Sequence, residues 1–242
     1  MTTQLRNVTV VPEGDGVDVK RLFPLQGFMN FDPFVLWDHF NIGPGHGFPD
    51  HPHRGFEAIT YMFSGGMNHK DNLGNESFVT AGGAQRFTAG KGLVHSEMPD
   101  EQGDSNGIQL WINLPQRLKQ VKPEYQQVDA AEFPVTIIKG GQVKMLVGEN
   151  SPLVLKTEII YQHVKLDANS NYKLKLKEGM RGIVYVMKGN VSVNTTEVKS
   201  DQAVFIENSP LLDFDAKADC EFMVCMGLPH GEPIRQYGPF VD

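Results

Sequence analysis

Hydrophobic and polar residues alternate in short runs along most of the chain, and glycines separate many of these runs. The run EAITYMF at residues 57–63 alternates and is rich in β-branched and aromatic residues, and Gly65-Gly66 then turns the chain. This combination is typical of a β-hairpin. Similar strand-like runs occupy residues 8–11, 17–23, 78–80, 85–88, 93–98 and 107–113. Many short strands joined by glycine turns predict an all-β barrel or sandwich.

Residues 114–124, with the sequence LPQRLKQVKPE, depart from the strand-like pattern. Prolines lie near both ends, and the residues between them include enough helix formers for one short helix. The 242-residue chain is long enough for two domains of about 120 residues each. We therefore expect the interdomain connection here, running to about residue 133, with domains at residues 1–133 and 134–242.

Two pairs of potential metal ligands, His51/His53 and His95/Glu97, are each separated by a single residue. Residues i and i+2 of a strand point to the same face, so each pair presents two ligand atoms toward one interior point. Two such strands facing each other across a barrel would make a four-ligand site. Three imidazoles and one carboxylate suit a divalent transition metal, which would keep two positions free for water, substrate or dioxygen. Iron(II) is the first expectation, and nickel, manganese, cobalt, copper and zinc remain open.

An ordinary alternating strand can also place a His-x-His pair on a solvated face, and a lone His95 is typical of a hydrogen-bonded core histidine. The repeated spacing in two glycine-flanked segments favours a metal site over these alternatives. The loop and first pair, residues 41–53, contain three prolines and three glycines, which should hold the histidines in a fixed pose. Pro52 cannot donate a ladder hydrogen bond, which places this pair at a strand edge or a bulge.

The second half of the chain repeats the first in outline. The sequence IVYVMKG at residues 183–189 mirrors ITYMFSG at residues 59–65, which indicates a duplicated β module with an offset of 124 (183 − 59). At this offset, Lys175 and Lys177 replace the first histidine pair. We therefore expect the second domain to carry no metal. Its proline-containing and glycine-containing tail, from residue 231 onward, is expected to pack back on the body.

Charge and the N-terminal sequence exclude several classes of partner. Lys and Arg number 22 against 29 Asp and Glu, giving a net charge of −7 and a pI near 5.6, which argues against a direct nucleic-acid partner. Residues 1–16 lack a basic region followed by an apolar run, and no stretch approaches the ~18 apolar residues of a membrane span. We expect a cytoplasmic protein that binds no membrane. Its two cysteines, Cys220 and Cys225, are expected to be reduced core residues.

Four motifs run in order along nearly the whole chain: GFPDHPHRGFE (47–57), TAGKGLVHSEMP (88–99), LWINLPQ (110–116) and GEPIRQYGPF (231–240). Together they resemble the pirin family, whose members are bicupins. The resemblance implies an all-β fold with two cupin-type barrels or sandwiches in tandem. It also implies iron in the N-terminal cupin only, bound by His51, His53, His95 and Glu97.

Two further residues have roles implied by the resemblance. Glu57 is a ligand in many other cupins and would here lie behind the metal ligands, with a solvated strand residue or an ion-pair partner as the alternative. Phe48, beside the loop histidines, would be a pocket wall or part of the core.

The resemblance also implies a function, because some pirin-like proteins have quercetin 2,3-dioxygenase activity. A flavonol would bind at the metal together with dioxygen, and its heterocycle would open with release of carbon monoxide. Glu97 would be both ligand and proton acceptor, although a different base or direct deprotonation by the metal stays open. The main alternative is an iron-containing, redox-responsive regulatory module that binds protein partners. A cupin isomerase, or an enzyme for another aromatic substrate, would use the same four ligands.

Overall fold

The computed structural model describes residues 2–242, which form β-strands joined by turns, so the all-β prediction is confirmed. The strands up to residue 128 are β1 (Thr2–Asn7), β2 (Thr9–Glu13), β3 (Val17–Phe23), β4 (Phe34–Ile42), β5 (Phe48–His53), β6 (Phe56–Ser64), β7 (Gly66–Asp71), β8 (Glu76–Thr80), β9 (Ala84–Thr88), β10 (Leu93–Pro99), β11 (Ser105–Asn113) and β12 (Glu124–Val128). The later strands are β13 (Val135–Ile138), β14 (Gly141–Val147), β15 (Ile159–Leu166), β16 (Ser170–Lys175), β17 (Arg181–Lys188), β18 (Asn190–Val193), β19 (Thr196–Lys199), β20 (Gln202–Glu207), β21 (Leu211–Ala216), β22 (Cys220–Gly227), β23 (Gln236–Tyr237) and β24 (Phe240–Val241).

The strands form two compact units, and each unit includes a segment from the other end of the chain. The N-terminal unit comprises Thr9–Glu132 together with Leu155–Thr157 and His230–Asp242. The C-terminal unit comprises residues 2–8 with Phe133–Val154 and Glu158–Pro229. Strand β1 pairs with β20 and therefore lies in a sheet of the C-terminal unit. The sequence pattern placed a single boundary at residue 133 and predicted that the C-terminal tail packs back, but it contained no sign of the exchange of residues 2–8 or 155–157.

The N-terminal unit is a sandwich of two antiparallel sheets. Its seven-stranded sheet has the order β12-β9-β6-β11-β4-β3-β2, and its four-stranded sheet has the order β5-β10-β7-β8. Apolar side chains from both sheets pack together, including Val19 and Phe40 from the larger sheet and Met67 and Val79 from the smaller one. The alternating strands therefore bury one face in a shared core, as sheet-on-sheet packing requires.

The C-terminal unit repeats this arrangement with strands from the second half of the chain. Its sheets have the orders β1-β20-β17-β22-β15-β14-β13 and β16-β21-β18-β19. Strand β17 carries the repeated IVYVMKG sequence and occupies the same third place in its sheet as β6, which carries ITYMFSG. The duplication read from the sequence thus corresponds to equivalent strands.

The predicted connecting helix is wrong, because residues 114–124 contain only a 3-10 turn at Gln116–Leu118. The amides of Leu118, Lys119 and Val121 each bond to the carbonyl three residues earlier. The buried Lys119 ammonium then donates to the Gly55 carbonyl at 2.9 Å and to Asn113 Oδ1 at 2.6 Å. These contacts and the proline at each end hold the chain against the sheet instead of letting a helix continue.

The C-terminal segment, residues 230–242, lies on the N-terminal unit. Strands β23 and β24 pair with each other, and the Val241 amide donates to the Arg54 carbonyl at 2.9 Å. The Arg54 guanidinium also binds both carboxylate oxygens of Asp242, at 2.9 and 2.7 Å. Gly55 has a positive φ of 85°, and a Cβ atom there would lie 1.8 Å from the Val241 carbonyl oxygen. Glycine at position 55 therefore allows the segment to approach this closely.

Two smaller predictions can be compared with the fold. Within residues 2–242, no helix is long and apolar enough to cross a membrane. Cys220 and Cys225 are free and buried, as predicted, and burial raises the pKa of the Cys220 thiol to about 11. The cytoplasmic location stays a prediction.

Candidate metal centre

Three histidines converge at the edge of the four-stranded sheet. Nitrogen atoms of His51, His53 and His95 all lie within 4.8 Å of one another. Strand β5 is the edge strand of this sheet, in agreement with the position that Pro52 predicts. Side chains alternate along a strand, so His51 and His53 of β5 point to the same side. His95 lies opposite His51 on β10 and adds the third imidazole ring.

The two ligand strands do not face each other across a barrel, as the sequence reasoning assumed. Strands β5 and β10 are hydrogen-bonded neighbours, with His95 opposite His51 and Leu93 opposite His53. The register shifts between His95 and Glu97, so the second pair does not continue the regular ladder. Neighbouring strands suffice because opposite side chains in an antiparallel pair are only about 5 Å apart.

Hydrogen bonds orient two of the rings for metal binding. His51 Nδ1 lies 2.7 Å from the Pro49 carbonyl oxygen, and His53 Nδ1 lies 3.3 Å from that of Pro239. A carbonyl only accepts, so each Nδ1 carries the proton and each Nε2 keeps a lone pair. His51 Nε2 is 3.1 Å from His95 Nε2, which places a basic nitrogen beside a third ring. Such an outer partner on the second ring nitrogen is the usual support of a histidine that binds a metal.

The environment keeps His53 and His95 neutral. Burial first, and then the neighbouring rings His95 and His51, lower the pKa of His53 to about 2. Burial and the rings of His51 and His69 likewise hold the pKa of His95 well below its usual value. Neutral imidazole is the form that binds metals. The donor set therefore fits a divalent transition metal, held by at least three nitrogen atoms.

Glu97 is buried beside this cluster with a carboxylate that accepts three hydrogen bonds. Oε1 accepts from Thr60 Oγ1 at 2.8 Å and from Gln85 Nε2 at 2.5 Å. Among residues 2–242, Oε2 accepts only from Gln109 Nε2, at 2.5 Å. Because a carboxylate oxygen has two acceptor directions, Oε2 is the atom with a direction left for a cation. The role of Glu97 as the fourth ligand stays a prediction.

The two glutamines that hold Glu97 are themselves oriented. Gln85 Oε1 accepts from the Tyr125 hydroxyl at 2.8 Å, so its amide nitrogen is turned toward the carboxylate. Gln109 Oε1 accepts from Trp111 Nε1 at 2.9 Å, with the same effect. The sequence analysis did not single out any of these residues. They lie on three different strands, and strand pairing rather than a local motif brings them to Glu97.

A pocket of about 610 Å³ opens at the histidine cluster within the N-terminal unit. Its walls include His51 and His53, and side chains of Phe48, Leu36 and Trp111. Part of the C-terminal segment also lines it, including Gln236 and Pro239. The cluster is therefore accessible from a cavity of the size that a small organic molecule occupies.

Comparison with known proteins identifies the family. The family model for pirin matches residues 16–112, and that for the pirin C-terminal cupin domain matches residues 161–242. A pirin-like protein of Caulobacter vibrioides is 37% identical over 241 residues, which cover 95% of this chain and 87% of the relative. The chain belongs to the pirin family.

Two solved structures confirm that this pirin has the bicupin fold. Quercetin 2,3-dioxygenase from Acinetobacter baumannii superimposes with a TM-score of 0.90 at 29% identity, covering 100% of this chain and 90% of that one. The bacterial pirin YhhW from Escherichia coli, in complex with nickel(II), has a TM-score of 0.79 at 24% identity and shares the fold. The two chains are covered to 94% and 99% in that comparison.

The last two predicted site residues take different places in this pirin. Phe48 lines the pocket, with its ring centroid 6.5 Å from that of His51. Glu57 is fully buried, which contradicts the alternative of a solvated strand residue. Its carboxylate accepts from Thr88 Oγ1 at 2.8 Å and from the amides of Lys156 and Thr157. Glu57 thus fixes the segment Leu155–Thr157 within the N-terminal unit.

Proposed function

We propose that this pirin is a metal-dependent dioxygenase that cleaves a flavonol such as quercetin. The observation that carries the proposal is the pocket, which ends on His51 and His53 and is large enough for an aromatic molecule of several rings. A metal held for structure alone would need no such cavity. The similarity to quercetin 2,3-dioxygenase from Acinetobacter baumannii supports the same activity.

The pocket walls match a flat aromatic substrate. Phe48, Leu36, Phe40 and Trp111 offer apolar surface along the cavity. Trp111 is also fixed, because its ring stacks on Phe56 with centroids 4.1 Å apart. Rigid aromatic and aliphatic walls can bury the rings of a flavonol and hold them in one plane.

A polar group on the pocket wall matches the hydroxyl groups of a flavonol. The Arg21 guanidinium bonds to Asp38 Oδ1 at 2.8 Å and to Glu13 Oε2 at 2.6 Å, so one cation is shared by two carboxylates. The group keeps a net negative charge and free acceptor directions. Phenolic hydroxyls can donate to it, whereas a carboxylate substrate would be repelled.

The proposed reaction joins one flavonol and one dioxygen molecule. The two carbon–carbon bonds at the carbon that bears the 3-hydroxyl break, that carbon leaves as carbon monoxide, and both atoms of dioxygen remain in the ester product. A bound metal supplies Lewis-acid and template chemistry. The chain holds it through His51, His53 and His95, with Glu97 as the proposed fourth ligand through Oε2. Glu97 is also the proposed acceptor of the 3-hydroxyl proton.

The test is carbon monoxide release from quercetin in air by the iron-reconstituted protein. We expect release with metal, none from the metal-free protein, and none from His95→Ala. His46→Ala is the matched control, since His46 is exposed and lies outside the cluster. It should retain full activity. A wild-type protein that binds iron stoichiometrically but releases no carbon monoxide would contradict the proposal and favour the regulatory alternative.

A further inference from the structure

A fourth histidine lies directly behind the cluster and is not one of the proposed ligands. His69 is 1% exposed, on strand β7, which pairs with β10 on the side opposite β5. Its Nδ1 atom is 3.4 Å from His95 Nδ1, and its Nε2 atom is 3.2 Å from Asp71 Oδ2. His69 and Asp71 show the same i, i+2 spacing that singled out the ligand pairs, but the sequence analysis passed over them.

The hydrogen bonds of Asp71 fix the proton on one side of His69. Asp71 accepts from the amides of Leu73 and Asn75 at 2.9 and 3.0 Å and from Asn75 Nδ2 at 2.8 Å. Burial alone would raise its pKa, but these bonds and that from His69 outweigh burial and lower the pKa. An ionised carboxylate only accepts, so His69 Nε2 must carry its proton toward Asp71. With this proton on Nε2, the His69 imidazole presents a lone pair at Nδ1 to His95.

The contacts of the histidines can be counted as a chain with an acceptor at each end. It runs from the Pro49 carbonyl through His51, His95 and His69 to the Asp71 carboxylate, with separations of 2.7, 3.1, 3.4 and 3.2 Å. Each of these four contacts needs one hydrogen, but three imidazoles with one N–H each supply only three. One contact must therefore lack a proton, and a cation can take the place of that proton. The Pro49 carbonyl and the Asp71 carboxylate each accept a proton, so the contact without a proton, here called the gap, is one of the two contacts of His95.

We propose that Asp71 and His69 form a hydrogen-bond relay that places the His95 proton on Nδ1 and so directs the His95 Nε2 lone pair to the metal. The gap in the chain then lies between His51 Nε2 and His95 Nε2, where His53 also converges. The relay rests on the metal-binding role proposed for these histidines. Asp71 and His69 are positioning residues, since they act through His95.

The surroundings of His69 hold it in the geometry that the relay needs. Its ring stacks on Tyr125 with centroids 4.2 Å apart and an angle of 18° between the planes. The Tyr125 hydroxyl is held in turn by Gln85 Oε1 and Ser77 Oγ, at 2.8 and 2.5 Å. The ring therefore cannot turn easily to present its nitrogens differently. The hydrogen-bond relay requires this fixed orientation, whereas simple core packing does not.

The first test is the affinity of Asp71→Asn for zinc, measured by competition with a chromophoric chelator. An asparagine can still accept from Leu73 and Asn75, but it presents N–H to His69 and reverses the proton order of both rings. We expect zinc affinity to fall about 10- to 100-fold, as for other outer partners of metal ligands. Asn75→Ala is the matched control, because it removes the side-chain hydrogen bond from Nδ2 to the same carboxylate but keeps the backbone amide and leaves the relay intact.

Zinc affinity of Asn75→Ala should equal that of the wild type. Equal losses of zinc affinity in Asp71→Asn and Asn75→Ala would show that the effect comes from the turn at residues 71–75, and would overturn the relay. Wild-type affinity in Asp71→Asn would overturn it as well. A wild-type protein that binds no zinc would overturn the metal site itself and the relay with it.

Nitrogen-15 NMR of the zinc-loaded wild-type protein is independent of any variant. We expect protons on His69 Nε2 and His95 Nδ1, with a coupling across the hydrogen bond between the two Nδ1 atoms. A purely structural histidine would not fix these positions. A proton on His69 Nδ1 would overturn the relay even if Asp71→Asn does not fold.

Discussion

The four-stranded sheets of the two units carry different inward-facing side chains on their first two strands. In the N-terminal unit, His51 lies opposite His95, with ring centroids 4.5 Å apart. In the C-terminal unit, one inward-facing pair on the corresponding strands is Tyr172 and Phe214, whose rings stack with centroids 5.5 Å apart and an angle of 17° between the planes. One strand pair thus supports either metal ligands or an aromatic stack. The backbone supplies only the spacing, and the side chains decide whether the site binds a cation or fills a core.

The comparison also corrects the alignment of the two halves. The offset of 124 matched the histidines to Lys175 and Lys177, but Lys175 lies on the exposed face of β16 and Lys177 lies beyond the end of that strand. Two residues, 54–55, separate β5 from β6, whereas five, 176–180, separate β16 from β17. This difference of three residues shifts β16 relative to β17, so one offset cannot align both strands of the repeat. Loop length can therefore move a repeat by an odd number of residues, which exchanges the two faces of a strand.

Transfer of the aromatic pair into the N-terminal unit should abolish metal binding. The double variant His51→Tyr/His95→Phe removes two of the three clustered nitrogen ligands, so affinity should fall by more than the ~100-fold typical of an outer-shell change. Competition titration with zinc measures the loss, and circular dichroism checks that the protein is folded. Retained affinity would show that these histidines are not the ligands.

Removal of the aromatic stack from the C-terminal unit should lower stability and leave metal binding unchanged. Phe214 is fully buried and stacks on Phe222 with centroids 5.0 Å apart. Phe214→Ala should lower the free energy of unfolding by about 3–5 kcal/mol through lost burial and a cavity. Urea unfolding measures this change, and zinc affinity of the folded variant should stay at the wild-type value. A parallel loss of affinity would mean that the two sites are coupled.

Glu97→Gln tests how far the buried carboxylate depends on its three donors. An amide in its place would turn one N–H toward the donors of Thr60, Gln85 or Gln109, so one buried polar group would lose its partner. We expect a loss of about 1–3 kcal/mol in the free energy of unfolding of the metal-free protein. Thermal unfolding of this variant beside Glu101→Gln, at an exposed carboxylate, provides the measurement and its control. Equal stability of the two variants would contradict the importance of the buried network.

The smallest expected effect is on the acid stability of the C-terminal unit. The hydrogen bond from His163 to Glu221, at 2.7 Å, is the main cause that lowers the Glu221 pKa from 4.5 to about 2. A depressed carboxylate pKa contributes stability above pH 4.5, which is lost as the pH falls toward 2. The contribution is on the order of 1–2 kcal/mol. The stability difference between wild type and Glu221→Gln should therefore shrink between pH 6 and pH 3 in urea unfolding experiments.

The sequence predicts those parts of the site that depend on local alternation. His51, His53 and His95 were found because a period of two is a property of single strands. Which strands lie side by side is decided by packing far along the chain, so β5 and β10 were wrongly expected to face each other. Gln85 and Gln109 were missed for the same reason, since nothing near either residue in the sequence marks its contact with Glu97.

The hydrogen bond from His53 to the Pro239 carbonyl joins residues 186 positions apart. During synthesis, the ribosome completes all three clustered histidines long before it adds the residue that orients His53. A nascent chain that ends before residue 239 therefore has all three clustered histidines but lacks the carbonyl group that orients one of them. Full orientation of His53 must follow translation of the C-terminal segment.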